Sequence, residues 1–166
     1  MASPSLPWHI TPAADEDAPE CDPIREWLRQ HNWTSNPEFM EKWTSPEHEA
    51  KPLVLTAKTS EGEIIGGLLA HTQFSWLRIS IMSVHPDWRS HGIGAGLLAE
   101  AEHIAAQRGC IHAHVDTMSY QAPGFYQKHG YRIAGEFPDW DSHGHAKLHF
   151  LKSLKSASLP SPSSSP

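Results

Sequence analysis

The chain has 166 residues, a length that fits one domain, and 39% of its residues are hydrophobic. Its net charge of −6 argues against nucleic acid as a partner, because phosphate binding needs clustered Lys and Arg. No stretch approaches the roughly 18 apolar residues of a membrane span. Residues 1–20 have neither the basic region nor the apolar stretch of a secretory signal, so we expect none there. Since Cys21 and Cys110 are too few for a disulfide framework, we expect a cytoplasmic protein with no membrane partner.

Both ends of the chain are rich in Ser and Pro and poor in large apolar side chains. Such segments bury too little surface to offset the entropy lost on ordering. We therefore expect residues 1–7 to be flexible, residues 155–166 to form a disordered tail, and residues 8–154 to form a single domain.

The N-terminal part is predicted to be mostly helical. A short strand is expected over Trp8–Thr11, and the apolar spacing of residues 22–33 predicts a helix with Asp22 as its N-cap and Pro23 in its first turn. A second helix is expected over residues 37–43, capped by Asn36.

Three strands should follow. Residues 52–58 and 63–74 are rich in β-forming residues and flank a turn around 60–62, which predicts a hairpin. Residues 75–85 predict a third antiparallel strand. Its alternation places Leu77, Ile79, Ile81 and Ser83 on one face.

The remaining elements predict a mixed sheet. Residues 92–108 have helical apolar spacing and end at Gly109, and residues 110–117 form a strand. The resulting strand–helix–strand unit requires a parallel pair. A short helix over 122–130 and strands over 131–137 and 145–154 complete a mixed α/β fold of about six or seven strands with flanking helices.

The segment VHPDWRSHGIGAGLL, residues 84–98, carries the strongest functional signal. A strand ends, a polar loop follows, and a helix begins at glycines. The first turn of a helix has unpaired N–H groups and a partial positive charge, so an anion can contact the bare backbone at Gly92 and Gly94. Arg89 adds a cation. A pyrophosphate cradle is predicted, although a tightly packed turn would use the same glycines.

Two nucleotide-binding motifs fit this segment poorly. A P-loop needs a lysine after its glycines, and none is present. A dinucleotide fingerprint needs a third glycine where Leu97 stands, and antiparallel strands precede the unit instead of a βαβ repeat.

A third motif matches. RSHGIG at 89–94 resembles the [QR]xxGx[GA] coenzyme-A motif of the GNAT acetyltransferase superfamily. SYQAPGFYQKHGY at 119–131 resembles that superfamily's NxxAxxFYxKxGF segment. The two occur in the expected order and spacing, and the resemblance covers residues 52–152. It implies the GNAT fold, a sheet that splays at its parallel pair, acetyl-CoA in that cleft as co-substrate, and an N-acetyltransferase reaction.

The resemblance also implies roles for individual residues. Tyr126 corresponds to the tyrosine commonly placed near the thioester sulfur, and Ser119 replaces the usual asparagine, which weakens its expected cofactor contact. His91 stands where Lys, Arg or Gln is frequent. The cofactor-binding residues implied are Met82, Ser83, Val84, Arg89, Ser90, His91, Gly92, Ile93, Gly94, Ala95 and Ser119, with the Val84 N–H polarising the thioester carbonyl.

Amide formation needs a donor for the developing oxyanion, a proton for the leaving thiolate and a base for the incoming ammonium group. Tyr126 is the candidate proton donor, although a tyrosine on a short amphipathic helix is often ordinary core. Asp116, His71 and His114 are the candidate bases, and Asp116 could instead cap a turn. The chain has 13 histidines but neither CxxC nor HExxH spacing, so we expect no metal.

The acceptor is expected to be an amine on a small molecule, which is favoured, or on a peptide. A homodimer is a further expectation. The alternative function is an acyl-CoA-binding sensor or scaffold without catalysis, which would need the cradle but not Tyr126. A dehydrogenase is a more distant alternative.

Overall fold

The computed structural model describes residues 8–154, so the predicted flexible ends lie outside the described residues. Residues 8–48 and 49–154 belong to two compact units, which are described in turn. Within residues 8–154, no helix combines the length and apolar character needed to cross a bilayer.

The first unit is helical. Its main helices are α1 (Asp22–Ser35) and α2 (Pro37–Thr44), flanked by 3₁₀ turns at Pro19–Cys21 and Pro46–His48. The predicted cap of α2 is confirmed, because the Asn36 side chain accepts a hydrogen bond from the Phe39 backbone N–H at 3.3 Å.

Two predictions for this unit are wrong. Residues 8–11 form no strand; Trp8 and Ile10 are 59% and 87% exposed, so no packing rewards an extended conformation there. Asp22 does not cap α1 but is its first residue, because the 3₁₀ turn runs directly into the helix. The Asp22 carboxylate instead pairs with Arg25 at 3.3 Å.

The second unit is a six-stranded sheet in the order β1-β2-β3-β4-β6-β5. β3 and β4 are parallel and all other neighbours are antiparallel, which confirms the predicted mixed α/β class and its central parallel pair. The elements are β1 (Lys51–Lys58), β2 (Ile64–Gln73), β3 (Trp76–Val84), α3 (Ile93–Gln107), β4 (His112–Met118), α4 (Pro123–Lys128), β5 (Arg132–Phe137) and β6 (Lys147–Ser153).

The core lies between α3 and one face of the sheet. Leu98, Leu68, Leu77 and Phe150 are almost completely buried there. α3 ends at Gln107, and the predicted terminating glycine, Gly109, follows with a left-handed φ of 83°. The Cys110 N–H bonds the Ala105 carbonyl at 2.9 Å. Burial of this apolar stripe is the main stabilisation of the helix on the sheet.

A β-bulge in β3 overturns the predicted alternation. Leu69 pairs with Ile81 and Ala70 with Ile79, so Ser80 is an extra residue in the ladder. Beyond it the two faces exchange. Met82 and Val84 pack against the core, and Ile81 is 58% exposed. The sequence pattern failed here because a single inserted residue shifts a period of two.

Candidate active site

A cleft opens where β3 and β4 separate. The strands pair only between Trp76–Ile79 and His112–Val115, although β3 continues to Val84 and β4 to Met118. The cleft has a volume of about 920 Å³ and reaches the loop after β3, the start of α3, and α4. Its lining includes most predicted site residues: Met82, Ser83, Val84, Arg89, Ser90, Gly92, Ile93, Gly94, Ala95, Asp116 and Tyr126.

The register of β3 turns particular backbone groups toward this cleft. Val84 is paired with Gly66, and the His85 N–H bonds the Ile65 carbonyl at 2.9 Å. In an antiparallel ladder this makes Val84 and Gly66 a non-hydrogen-bonded pair, so the N–H and C=O of Val84 point away from β2. They point to the side from which β4 has diverged.

The same alternation separates the other two predicted strand residues. Met82, two positions before Val84, also directs its backbone groups away from β2, whereas Ser83 belongs to a hydrogen-bonded pair with Gly67. The splayed side of β3 therefore offers main-chain groups at Met82 and Val84 but not at Ser83.

The loop between β3 and α3 is wound through two left-handed positions. Ser90 has a φ of 65° and Gly92 a φ of 82°. A Cβ at Gly92 would meet nothing within 4 Å, so this glycine is required by its backbone conformation rather than by space. The turn leads directly into the first residue of α3, Ile93.

The start of α3 presents main-chain donors. The first hydrogen bond of the helix runs from the Gly96 N–H to the Gly92 carbonyl at 2.9 Å. The N–H groups of Ile93, Gly94 and Ala95 therefore have no acceptor within the helix. Together with the helix dipole they form a site suited to an anion.

Arg89 is fixed to the end of β3. Its Nε donates to the Val84 carbonyl at 3.2 Å. This bond uses one of the five guanidinium donors, and Arg89 lines the cleft beside the first turn of α3. A cation thus lines the same cleft as the main-chain donors.

Two predicted residues do not line the cleft. The His91 Nδ1 lies 2.8 Å from the Arg89 carbonyl, and its ring lies 6.0 Å from that of Trp88. The Ser119 N–H donates to the Ala146 carbonyl at 2.8 Å, and its Oγ accepts from the Ala146 N–H at 3.2 Å. Both residues make contacts that hold loops, and their predicted cofactor contacts stay predictions.

Tyr126 enters the cleft from α4 but is itself 6% exposed. Its ring packs against those of Phe125, Tyr131 and Phe150 at centroid distances of 5.3, 5.8 and 5.9 Å. Burial, with a smaller contribution from the negative charge of Asp116, raises the pKa of the Tyr126 phenol above its usual value of 10.0. The hydroxyl is protonated at neutral pH, as a phenol with the usual pKa also is, and the raised pKa makes it a weaker acid.

Asp116 is the one candidate base among the cleft-lining residues. Its Oδ2 lies 2.9 Å from the Lys147 Nζ on β6. Of the other two candidates, His71 is on β2 and pairs with Arg78 of β3. The His114 Nε2 lies 3.1 Å from the His149 Nδ1.

Other lining residues were missed by sequence reasoning. Gln121 follows β4, and its Oε1 accepts from the Met118 N–H at 2.8 Å and from the Thr117 hydroxyl at 2.9 Å. Phe125 lies against Gly94, where an added Cβ would be 3.5 Å from its ring. Phe125 immediately precedes Tyr126, which was a usable signal; the Gln121 contacts depend on loop conformation and left none.

Comparison with known proteins identifies the family. The profile of the acetyltransferase (GNAT) family matches residues 14–131. The chain belongs to this family. It is therefore an acetyltransferase, and the resemblance drawn from RSHGIG and SYQAPGFYQKHGY is confirmed at the level of the family.

Individual proteins similar to this chain are also acetyltransferases. The chain is 42% identical over 100 residues to a blasticidin-S acetyltransferase of Streptomyces morookaense, covering 58% of this chain and 74% of that protein. An acetyltransferase from Bacillus cereus ATCC 14579 superposes with a TM-score of 0.66 at 32% identity, covering 88% and 97% of the two chains. An aminoglycoside 6'-N-acetyltransferase complexed with coenzyme A shares the fold at a TM-score of 0.57 and 17% identity, over 88% and 97%.

Proposed function

We propose that this GNAT protein transfers an acetyl group from acetyl-CoA to a primary amine of a small molecule by direct attack of the amine on the thioester. The observation that carries the proposal is the convergence, in one cleft, of main-chain donors and a buried, protonated tyrosine. A module that only binds acyl-CoA needs the donors but not the tyrosine.

The donors at the start of α3 would bind the pyrophosphate of coenzyme A. The N–H groups of Ile93, Gly94 and Ala95 supply hydrogen bonds, and Arg89 supplies charge. The backbone of Met82 and Val84 faces the splayed side of β3, where an extended pantetheine arm could lie as an added strand. The same fold is complexed with coenzyme A in the aminoglycoside 6'-N-acetyltransferase.

The reaction requires stabilisation of one negative charge and transfer of two protons. As the amine nitrogen bonds to the thioester carbon, the oxygen gains negative charge, and the Val84 N–H donates to it. When the carbon–sulfur bond breaks, the Tyr126 hydroxyl gives its proton to the thiolate. Asp116 takes the proton lost by the amine, directly or through water. Asp116 then releases this proton to the solvent and Tyr126 takes one up from it, so both groups return to their starting protonation states.

A small-molecule acceptor is favoured by the relatives. One relative is named for blasticidin S, at 42% identity over 100 residues. Blasticidin S is therefore the first acceptor to test, together with other amine antibiotics, polyamines and peptide N-termini.

The test is release of free coenzyme A thiol from acetyl-CoA by catalytic amounts of the protein across that amine panel. We expect acceptor-dependent thiol release and a product heavier by one acetyl group in mass spectrometry. Binding of acetyl-CoA with no turnover for any amine would instead support the sensor.

A further inference from the structure

A cluster of ligand-type side chains lies beside the cleft, on β4 and β6. His114 and Asp116 are two residues apart on β4 and so lie on the same face of the sheet. Asp116 is directly opposite His149 in the β4–β6 ladder. All three are partly buried, and one potential ligand atom from each lies within 4.8 Å of the others.

The two facing imidazole nitrogens are already about as far apart as two ligands of one metal ion. The His114 Nε2 lies 3.1 Å from the His149 Nδ1, and the rings are stacked at a centroid distance of 5.4 Å. Zn–N bonds of about 2.0–2.1 Å at a tetrahedral angle place two nitrogens about 3.3–3.4 Å apart. Occupation by an ion would need only a small separation of the rings.

A metal ion could also take the place of the hydrogen that lies between these two nitrogens. In the hydrogen-bonded pair only one of the two facing nitrogens carries the hydrogen. If that hydrogen moves to the other nitrogen of its own ring, each of the two facing nitrogens has a free lone pair. The Asp116 carboxylate, the hard third ligand, completes a set of two histidines and one carboxylate, which is a recognised set for zinc with a fourth position for water.

We propose that His114, His149 and Asp116 form a binding site for a single divalent transition-metal ion, with Zn²⁺ the best match. The sequence predicted no metal, because no contiguous motif carries these ligands. The site is instead assembled by strand register, from residues 35 positions apart.

Two cations oppose a metal ion here. Arg78 lies opposite His114 in the β3–β4 ladder, and its positive charge acts on that ring. The Lys147 Nζ lies 2.9 Å from the Asp116 Oδ2 and 4.8 Å from the centre of the Trp140 ring. A cation there competes with the metal for the carboxylate, although a carboxylate has a second oxygen to offer. Lys147 therefore lowers the affinity of the proposed site and provides a way to test it.

The experiment is calorimetric titration of the full chain with ZnCl₂, accompanied by visible absorption on titration with Co²⁺. We expect Zn²⁺ binding to saturate at one ion per chain. The absorption of bound Co²⁺ should be that of an ion with a low coordination number. His149→Gln and His114→Gln should each weaken Zn²⁺ binding by at least about tenfold, and Lys147→Gln should strengthen it by about three- to tenfold.

The matched control is His112→Gln. His112 is on the same face of β4, but its ring packs on Trp76 at 4.6 Å. It should bind Zn²⁺ like the unmodified chain. Equal affinities for His112→Gln, His114→Gln and His149→Gln would overturn the proposal, as would no binding by the unmodified chain. Thermal melting without metal verifies that each variant is folded, and the Lys147→Gln gain keeps the proposal testable if a histidine variant is not.

Discussion

The two walls of the cleft are built differently. The binding wall, formed by the end of β3 and the start of α3, offers mainly backbone N–H groups from residues 82–95. The reactive wall, formed by β4 and α4, offers the side chains of Asp116 and Tyr126. A substitution on the binding wall should therefore act on cofactor binding, whereas one on the reactive wall should act on the chemical step. Variants of the binding wall should mainly change the KM for acetyl-CoA, and variants of the reactive wall should mainly change kcat.

The largest expected effect is on the reactive wall. Tyr126→Phe removes the proposed proton donor but keeps the ring that packs against Phe150 at 5.9 Å. We expect kcat to fall by about 100- to 1,000-fold with little change in the KM for acetyl-CoA. Steady-state kinetics with the best acceptor measure both.

The control for that substitution is Tyr120→Phe, since Tyr120 also lines the cleft but is 61% exposed. It should retain kcat within a few-fold. Equal rates for the Tyr126→Phe and unmodified proteins would exclude proton donation by Tyr126.

The binding wall is tested by a charge placed at Gly94. Gly94→Asp directs a carboxylate toward Phe125 and Val84, where its Cβ makes contacts of 3.5 and 3.8 Å without a clash. A negative charge in the first turn of α3, beside the donors proposed to bind the pyrophosphate, should weaken acetyl-CoA binding by about 100-fold. Calorimetric titration with acetyl-CoA measures this.

Gly96→Asp is the matched control. Gly96 is also in the first turn of α3, but its N–H is bonded to the Gly92 carbonyl and a Cβ there meets nothing within 4 Å. Since an acidic residue near a helix N-terminus favours the fold, neither variant should be destabilised through the dipole. If both variants bind acetyl-CoA equally, the anion does not contact Gly94.

The sequence predicted the binding wall better than the reactive wall. The binding wall is local: the strand end, Arg89, Gly92 and the helix start are consecutive, so their chemistry can be read from one segment. The splay of the parallel pair was implied only by the resemblance to the GNAT superfamily.

What sequence could not predict depends on register. The bulge at Ser80 reversed the faces of β3 and moved Met82 and Val84 onto the core side. Asp116 has two partners, Lys147 and His149, and both come from β6. No local sequence pattern shows which residues face each other across two strands.

An intermediate effect tests whether the reactive wall and the proposed metal site share Asp116. If they do, saturating Zn²⁺ should slow turnover by about tenfold, because the ion occupies the proposed base. A chelator should restore the rate. His149→Gln should be slowed less by Zn²⁺, measured against its own rate without Zn²⁺. Full activity with Zn²⁺ bound would show that Asp116 is not the base.

The smallest expected effect is on stability at high pH. Burial raises the pKa of both Tyr126 and Tyr131 above 10.0. Because the folded-state pKa exceeds the unfolded value, their contribution to stability is complete below about pH 10 and is lost as the pH rises toward the folded pKa. The free energy of unfolding should fall by up to about 1.4 kcal/mol per pH unit for each tyrosine. Urea unfolding between about pH 9 and 11 measures this slope, which Tyr126→Phe should reduce. An unchanged slope in Tyr126→Phe would mean that its hydroxyl is well solvated, and the case for a buried proton donor on the reactive wall would then fail as well.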